Sequence, residues 1–242
     1  MTAPGRQLLD LHNHTHHSYD AQIQAADYER AHAAGLVDVV AITDHNTITG
    51  ALELRERASF PVIVGQEIDT ADGELIGLFL EAPVPAGLPA IETAGRIRAQ
   101  GGLVYLQHPF YRLVRGRMRD TAREQLHGRG LLDIAEAANG GPFTAAANAR
   151  ALAWARACGL PHTASSDAHE ATMIGTCLVS APAGPIDAAS LPALLRAATP
   201  VDRRTSAATA LAVKAAGRIG TALRVAGRRE PPRRRAGEMV DR

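Results

Sequence analysis

Along the first 200 residues, short apolar runs alternate with helical patterns, and each run ends at a residue able to hold a metal or a proton. Strands are predicted at 7–11, 37–42, 61–68, 103–106, 132–137 and 162–165. Helices are predicted at 23–34, 48–58, 89–100, 143–158 and 187–197, each near a Gly or Pro boundary. Repeated βα units imply a parallel sheet, and this many in one domain favour a closed barrel over an open sheet. Ala71-Asp72-Gly73 is a tight-turn signal, so one hairpin, with a strand at 74–80, interrupts the alternation.

Composition agrees with helices packed on a sheet. The chain has 242 residues, 46% hydrophobic but only 4% aromatic, so Ala, Leu, Val and Ile must fill its core. Cys158 and Cys177 lack the spacing of a disulfide framework or a zinc knuckle, which fits a reducing cytoplasm. The first residues lack the apolar segment of a signal peptide, and no window is long and apolar enough to span a membrane. The expected organisation is one α/β domain over 1–200 followed by a basic segment over 201–242. That segment has eleven Lys/Arg against four acidic residues, and between Arg204 and Arg228 its Ala/Leu and Arg residues fall on opposite faces of an amphipathic helix. Docking on the body is the expected use of such a helix; contact with nucleic acid is the alternative. No feature specifies an oligomeric state.

In a parallel βα barrel the C-terminal ends of the strands surround one mouth. Of ten histidines, His12, His14, His45, His108 and His169 fall at such ends, with Asp10, Asp44, Glu67, Glu136, Asn139 and Asp167. His12-x-His14 places two imidazoles to grip one ion, Asp167-x-His169 repeats the spacing, and Glu67 has two oxygens with which to bridge two cations. Asp44 is better suited to orient a ligand than to be one, and Glu136 and Asn139 remain open between that role and plain strand-end polarity. His16 and His17 read as exposed. Mixed His and carboxylate donors suit Zn, Mn or Fe. Arginines 112, 115, 117 and 119 follow His108 without helical periodicity. Arg112 and Arg115 are the candidates to grip a phosphate.

The ordered blocks Asp10-Leu-His-Asn-His-Thr, Ser18-Tyr-Asp20, Thr43-Asp-His45, Gly65-Gln-Glu67, Gln107-His-Pro-Phe110 and Ser165-Ser-Asp-Ala-His169 resemble the polymerase-and-histidinol-phosphatase (PHP) superfamily over about residues 8–180. The resemblance implies a distorted seven-stranded (β/α) barrel, two or three divalent ions and phosphoester hydrolysis by metal-activated hydroxide. It assigns one ion to His12, His14, Glu67 and Asp167, a second to Glu67 and His108, and a third to Asp20, His45 and His169. One position departs: where many relatives carry a further histidine in a His-x-x-Gly pattern, this chain has Glu74-Leu-Ile-Gly77. The expected substrate is a small phosphorylated molecule, such as a phosphomonoester, a nucleotide or an oligonucleotide end. The rival from another class is a non-catalytic, metal-stabilised module binding nucleic acid or a protein. A hydrolase built on a carboxylated lysine is a poor reading, because the one lysine is Lys214.

Overall fold

The computed structural model describes residues 5–112, 116–142 and 144–204. In chain order the elements are β1 (Arg6–Asp10), α1 (Ala25–Ala33), β2 (Val39–Ile42), α2 (Thr49–Arg57), β3 (Val62–Thr70), β4 (Gly73–Leu78), α3 (Ala90–Ala99) and β5 (Leu103–Leu106). There follow α4 (Asp120–Gly128), β6 (Ile134–Asn139), α5 (Ala145–Ala157), β7 (His162–Ser165), β8 (Cys177–Pro182), α6 (Leu191–Arg196) and β9 (Thr199–Asp202). The strands form one sheet in the order β7-β6-β5-β4-β3-β2-β1-β8-β9.

β1, β2 and β3 pair in parallel, as do β5, β6 and β7. β4 runs antiparallel between β3 and β5, so β5 points the same way as β3 and the C-terminal ends of all the parallel strands share one mouth. β4 starts at that mouth, which brings its second residue, Glu74, to the rim. β7 lies against β8, and the sheet curls into a nearly closed barrel. At the mouth the seam is sewn by backbone: the Asp167 N–H donates to His12 O at 3.0 Å and the His14 N–H to Ala168 O at 3.1 Å. Two segments that carry candidate ligands therefore also close the barrel.

Successive strand residues point to opposite faces. Leu9, Val39, Ala41, Ile63, Ile76, Tyr105 and Ile134 fill the interior. Leu8, Val40, Ile42, Val64, Val104 and Leu106 face the helices, where they meet Tyr28, Leu54, Ile97 and Leu126. Burial on both faces explains why these strands read as unbroken apolar runs. β8 and β9 are additional to the seven strands expected from the sequence; both are antiparallel, and they extend the sheet beyond β1. α4 is likewise additional, beginning where the arginine-bearing segment after His108 ends. Past Arg204, the basic amphipathic helix expected within 201–242 lies outside the described residues.

Candidate metal centre

Four donor atoms converge at the mouth. His12 Nε2 lies 3.3 Å from His14 Nε2, 3.2 Å from Glu67 Oε2 and 3.3 Å from Asp167 Oδ1. His14 Nε2 lies 3.3 Å from the same two carboxylate oxygens. Five edges of this four-cornered figure are thus nearly equal. A regular tetrahedron whose corners lie about 2.0 Å from its centre has edges of about 3.3 Å, and about 2.0–2.1 Å is the distance at which imidazole and carboxylate hold zinc and ions of similar size. The donor set fits a divalent cation in both chemistry and spacing.

The groups behind the donors fix how the rings present themselves. His12 Nδ1 donates to Glu136 Oε1 at 3.1 Å. That carboxylate also accepts from the Tyr105 hydroxyl at 2.9 Å, the His108 backbone N–H at 2.7 Å and Asn139 Nδ2 at 3.0 Å. Ser18 Oγ donates to Asp44 Oδ1 at 3.0 Å, which leaves it to accept from His14 Nδ1 at 3.1 Å. With both Nδ1 atoms engaged as donors, the Nε2 lone pairs of His12 and His14 are free to face the centre. Asp44, which also accepts from the Thr15 N–H and hydroxyl, acts through Ser18 and does not face the centre itself. Asn139 Nδ2 reaches Asp167 Oδ2 at 3.0 Å, and Gln107 Nε2 reaches Glu67 Oε1 at 2.9 Å. His108 and Asp167 have φ of 28° and 51°, a region unfavourable for residues with a Cβ and found where surrounding contacts hold a functional group in place.

Two further groups adjoin the first. His108 Nε2 is 3.3 Å from Glu67 Oε1, the oxygen that does not face His12. Asp20 Oδ2 is 3.2 Å from His169 Nε2 and 3.5 Å from His45 Nε2, and the His14 ring lies against both of those rings. His14, Asp20, His45 and His169 together offer donors within 4.8 Å of one another. Among the described residues, His45 Nδ1, His108 Nδ1 and Gln107 Oε1 are buried polar atoms without a hydrogen-bond partner.

Opposite charges dominate the electrostatics. Burial alone would lower the His12 pKa, but Asp167 and Glu67 outweigh it and hold it well above its ordinary value. The same balance raises His14 and, chiefly through Glu67, His108. Burial would raise Glu67 and Asp167, yet the histidines hold both well below the carboxylate range. Asp20 is lowered by His169 and His45 against its own partial burial. Beneath the centre, burial raises Asp10 to about 6 even though Ser166 and Gly175 donate to it.

All eight ligand candidates from the sequence are brought to this one mouth. Arg112 is exposed four residues beyond His108, with no carboxylate partner among the described residues; Arg115 lies outside them. Arg117 and Arg119 are engaged with Asp120 and Asp72. His17 pairs with Glu53 at 3.0 Å, apart from the main donors. No spacing signal marks Ser18, Tyr105 or Gln107 as supports, although Ser18 and Gln107 lie inside motif blocks. Tyr19 stacks on His45 with ring centroids 4.8 Å apart and remains 79% exposed.

Comparison with known proteins agrees with this architecture. The PHP-associated family model matches residues 145–200. An uncharacterized protein of Methanocaldococcus jannaschii is 48% identical over 77 residues, which is 31% of this chain and 45% of that protein, so the match spans less than half of the relative's length. Among solved structures, a two-domain protein from Bacteroides vulgatus containing a predicted PHP-like metal-dependent phosphoesterase superposes with a TM-score of 0.65 at 18% identity, covering 84% of this chain and 67% of that one. A lesion-specific endonuclease from Pyrococcus furiosus superposes with a TM-score of 0.55 at 14% identity, covering 81% and 57%. At these identities the superpositions speak for the fold.

Proposed function

We propose that this PHP-like chain is a metal-dependent phosphoesterase acting on a small phosphorylated substrate, with a nucleotide or an oligonucleotide end favoured. The observation that carries the reading is the cage of His12 Nε2, His14 Nε2, Glu67 Oε2 and Asp167 Oδ1, in which five edges measure 3.2 to 3.3 Å. Glu67 with His108, and Asp20 with His45 and His169, would hold a second and a third ion beside it. Zn, Mn or Fe suits the mixed imidazole and carboxylate donors. Bound there, divalent cations polarise a phosphoryl oxygen and lower the pKa of water towards neutrality.

The chain's own residues supply the rest. Glu136 and Ser18 hold the neutral rings of His12 and His14 in one tautomer, with the Nδ1 proton turned away from the centre. Arg112, exposed on the segment that leaves His108, is suited to neutralise phosphate oxygens. Tyr19 offers a ring fixed from below by His45 and open above, a surface on which a planar base can stack. In hydrolysis water adds to phosphorus, the P–O bond to the alcohol breaks, and the alcohol leaves with a proton.

The test is a panel of phosphomonoesters and diesters assayed after chelation and re-addition of Mn, Zn, Fe or Mg. Hydrolysis abolished by chelator and restored by metal is expected. A protein that gains thermal stability from metal yet hydrolyses nothing on the panel would be a metal-stabilised binding module instead.

A further inference from the structure

We propose that Glu74 completes a second cation site with Glu67 and His108, and that this site selects an oxygen-preferring divalent cation, Mn²⁺ or Mg²⁺, over zinc. The inference rests on the metal-dependent reading above but concerns a ligand outside the eight assigned from the sequence. β4 starts at the mouth, so Glu74 meets the site from the strand that runs against all its parallel neighbours. Its residue exposure is 9%, and its Oε2 lies 3.8 Å from His108 Nε2, which in turn is 3.3 Å from Glu67 Oε1.

The carboxylate is held in place from behind. The Glu74 N–H donates to Gly116 O at 2.6 Å. A Cβ built on Gly116 would lie 1.6 Å from Glu74 Cδ and 1.9 Å from each oxygen, so only glycine lets the backbone pass this close. Among the described residues no side chain donates a hydrogen bond to these oxygens. A buried carboxylate without a donor, set beside a second carboxylate and an imidazole, is the arrangement of a cation ligand. Its neighbours on the other side are already occupied: Asp69 Oδ2 accepts from Asn46 Nδ2 at 2.6 Å, and His45 Nε2 faces Asp20.

Donor chemistry sets the selectivity. The first cage has two nitrogens and two oxygens, whereas the second has one nitrogen and two carboxylates. Carboxylate-rich sites favour harder ions, and imidazole-rich ones favour zinc.

Mn²⁺ binding to chelator-stripped protein, followed by electron paramagnetic resonance of free Mn²⁺ and by calorimetry, tests the assignment. Wild type should show two classes of site. Glu74→Gln should weaken one class by about tenfold or more and leave the class held by His12, His14 and Asp167 intact, which also reports that the variant is folded. Gly116→Ala, which displaces the carboxylate without removing it, should do the same. Glu74→His should keep both classes but raise the zinc-to-manganese preference of the second. Unchanged Mn²⁺ stoichiometry and affinity in Glu74→Gln overturns the proposal, as it would if Glu74 held only a proton there. Absence of any metal binding by wild type sinks the phosphoesterase reading with it, whereas loss of this proposal alone leaves the first class standing.

Discussion

Glu136 touches no donor atom of the cage, yet replacing it with glutamine should damage the metal centre. Its two oxygens accept four hydrogen bonds: His12 Nδ1 and the Tyr105 hydroxyl on Oε1, the His108 N–H and Asn139 Nδ2 on Oε2. In Glu136→Gln one oxygen becomes an NH₂ that must face two of these donors. On the Oε2 side it would oppose a backbone N–H, which cannot turn away, and Asn139, whose Oδ1 is engaged by the Gly141 N–H at 2.8 Å. On the Oε1 side there is an escape. The Tyr105 hydroxyl can turn to Ser165 Oγ, 3.0 Å away, and His12 can accept at Nδ1 by moving its proton to Nε2. The cheaper orientation therefore puts a hydrogen where the metal ligand was.

The fold should survive this change, with a loss of about 1.5–3 kcal/mol from one weakened set of charge-assisted hydrogen bonds. Cation affinity should fall by about 10–100-fold, the usual cost of losing an outer partner of a ligating histidine. Calorimetric titration of stripped protein with Zn²⁺, alongside thermal melts without metal, separates the two effects. Wild-type affinity in a variant that has lost stability would refute the tautomer argument. It would leave Glu136 as a strand-end polar residue and nothing more.

Two further outcomes follow from the same electrostatics. Because Asp167 and Glu67 hold His12 and His14 above their ordinary 6.5, protons compete with cations for these donors: apparent metal affinity should fall with falling pH, and binding should release protons, seen calorimetrically as an enthalpy that depends on the buffer. In metal-free protein the raised histidines stabilise the fold below pH 6.5 and lose that contribution as pH rises through their folded pKa values, while the lowered Glu67 and Asp167 stabilise it above their ordinary 4.5 and 3.8 and lose it in acid. A Tm maximum between those limits is expected, and one on the alkaline side would contradict it. Burial raises the Cys177 thiol to about 12, so native protein should alkylate at Cys158 alone at neutral pH, and both cysteines should react after denaturation; rapid modification of native Cys177 on mass spectrometry would count against that burial.

The strands that carry the mouth were legible because burial on both faces leaves an apolar run without gaps, as in Val39–Ile42 and Leu103–Leu106. Where one-sided or unusual packing applies, the pattern fails. β8 is paired antiparallel at both sides, and its Ser180 and Pro182 look like an exit from the fold rather than a strand. α4 buries only Ala122, Arg123 and Leu126, and the Arg123 guanidinium earns its place by lying 4.5 Å over the Phe110 ring. A helix whose inward face includes an arginine has too thin an apolar stripe for periodicity to find.

The candidate site divides along the same line. His12 with His14 is visible because two residues two apart on an extended segment share a face, and Asp167-x-His169 repeats the spacing although Asp167 itself has a left-handed φ of 51°. Glu136 and Asn139 could not be placed that way: three apart, they belong on opposite faces of a regular strand. β6 breaks the rule with a register shift between Glu136 and Ala138, so that Glu136 pairs with Thr163 and Ala138 already pairs with Ala164. The extra residue, Ala137, returns Asn139 to the face of Glu136, and Asn139 Nδ2 then bridges Glu136 Oε2 and Asp167 Oδ2 at 3.0 Å each. A bulge of this kind re-aims side chains at the rim of a barrel. The Glu74-Leu-Ile-Gly77 pattern marks Glu74 in the sequence without giving it a role, for a related reason. Its role depends on β4 entering the mouth against the direction of its neighbours and on Gly116 backing its carboxylate from 42 residues further along the chain. Candidate ligands set by spacing within one segment are read from sequence, and those set by the register between segments emerge only once the sheet is assembled.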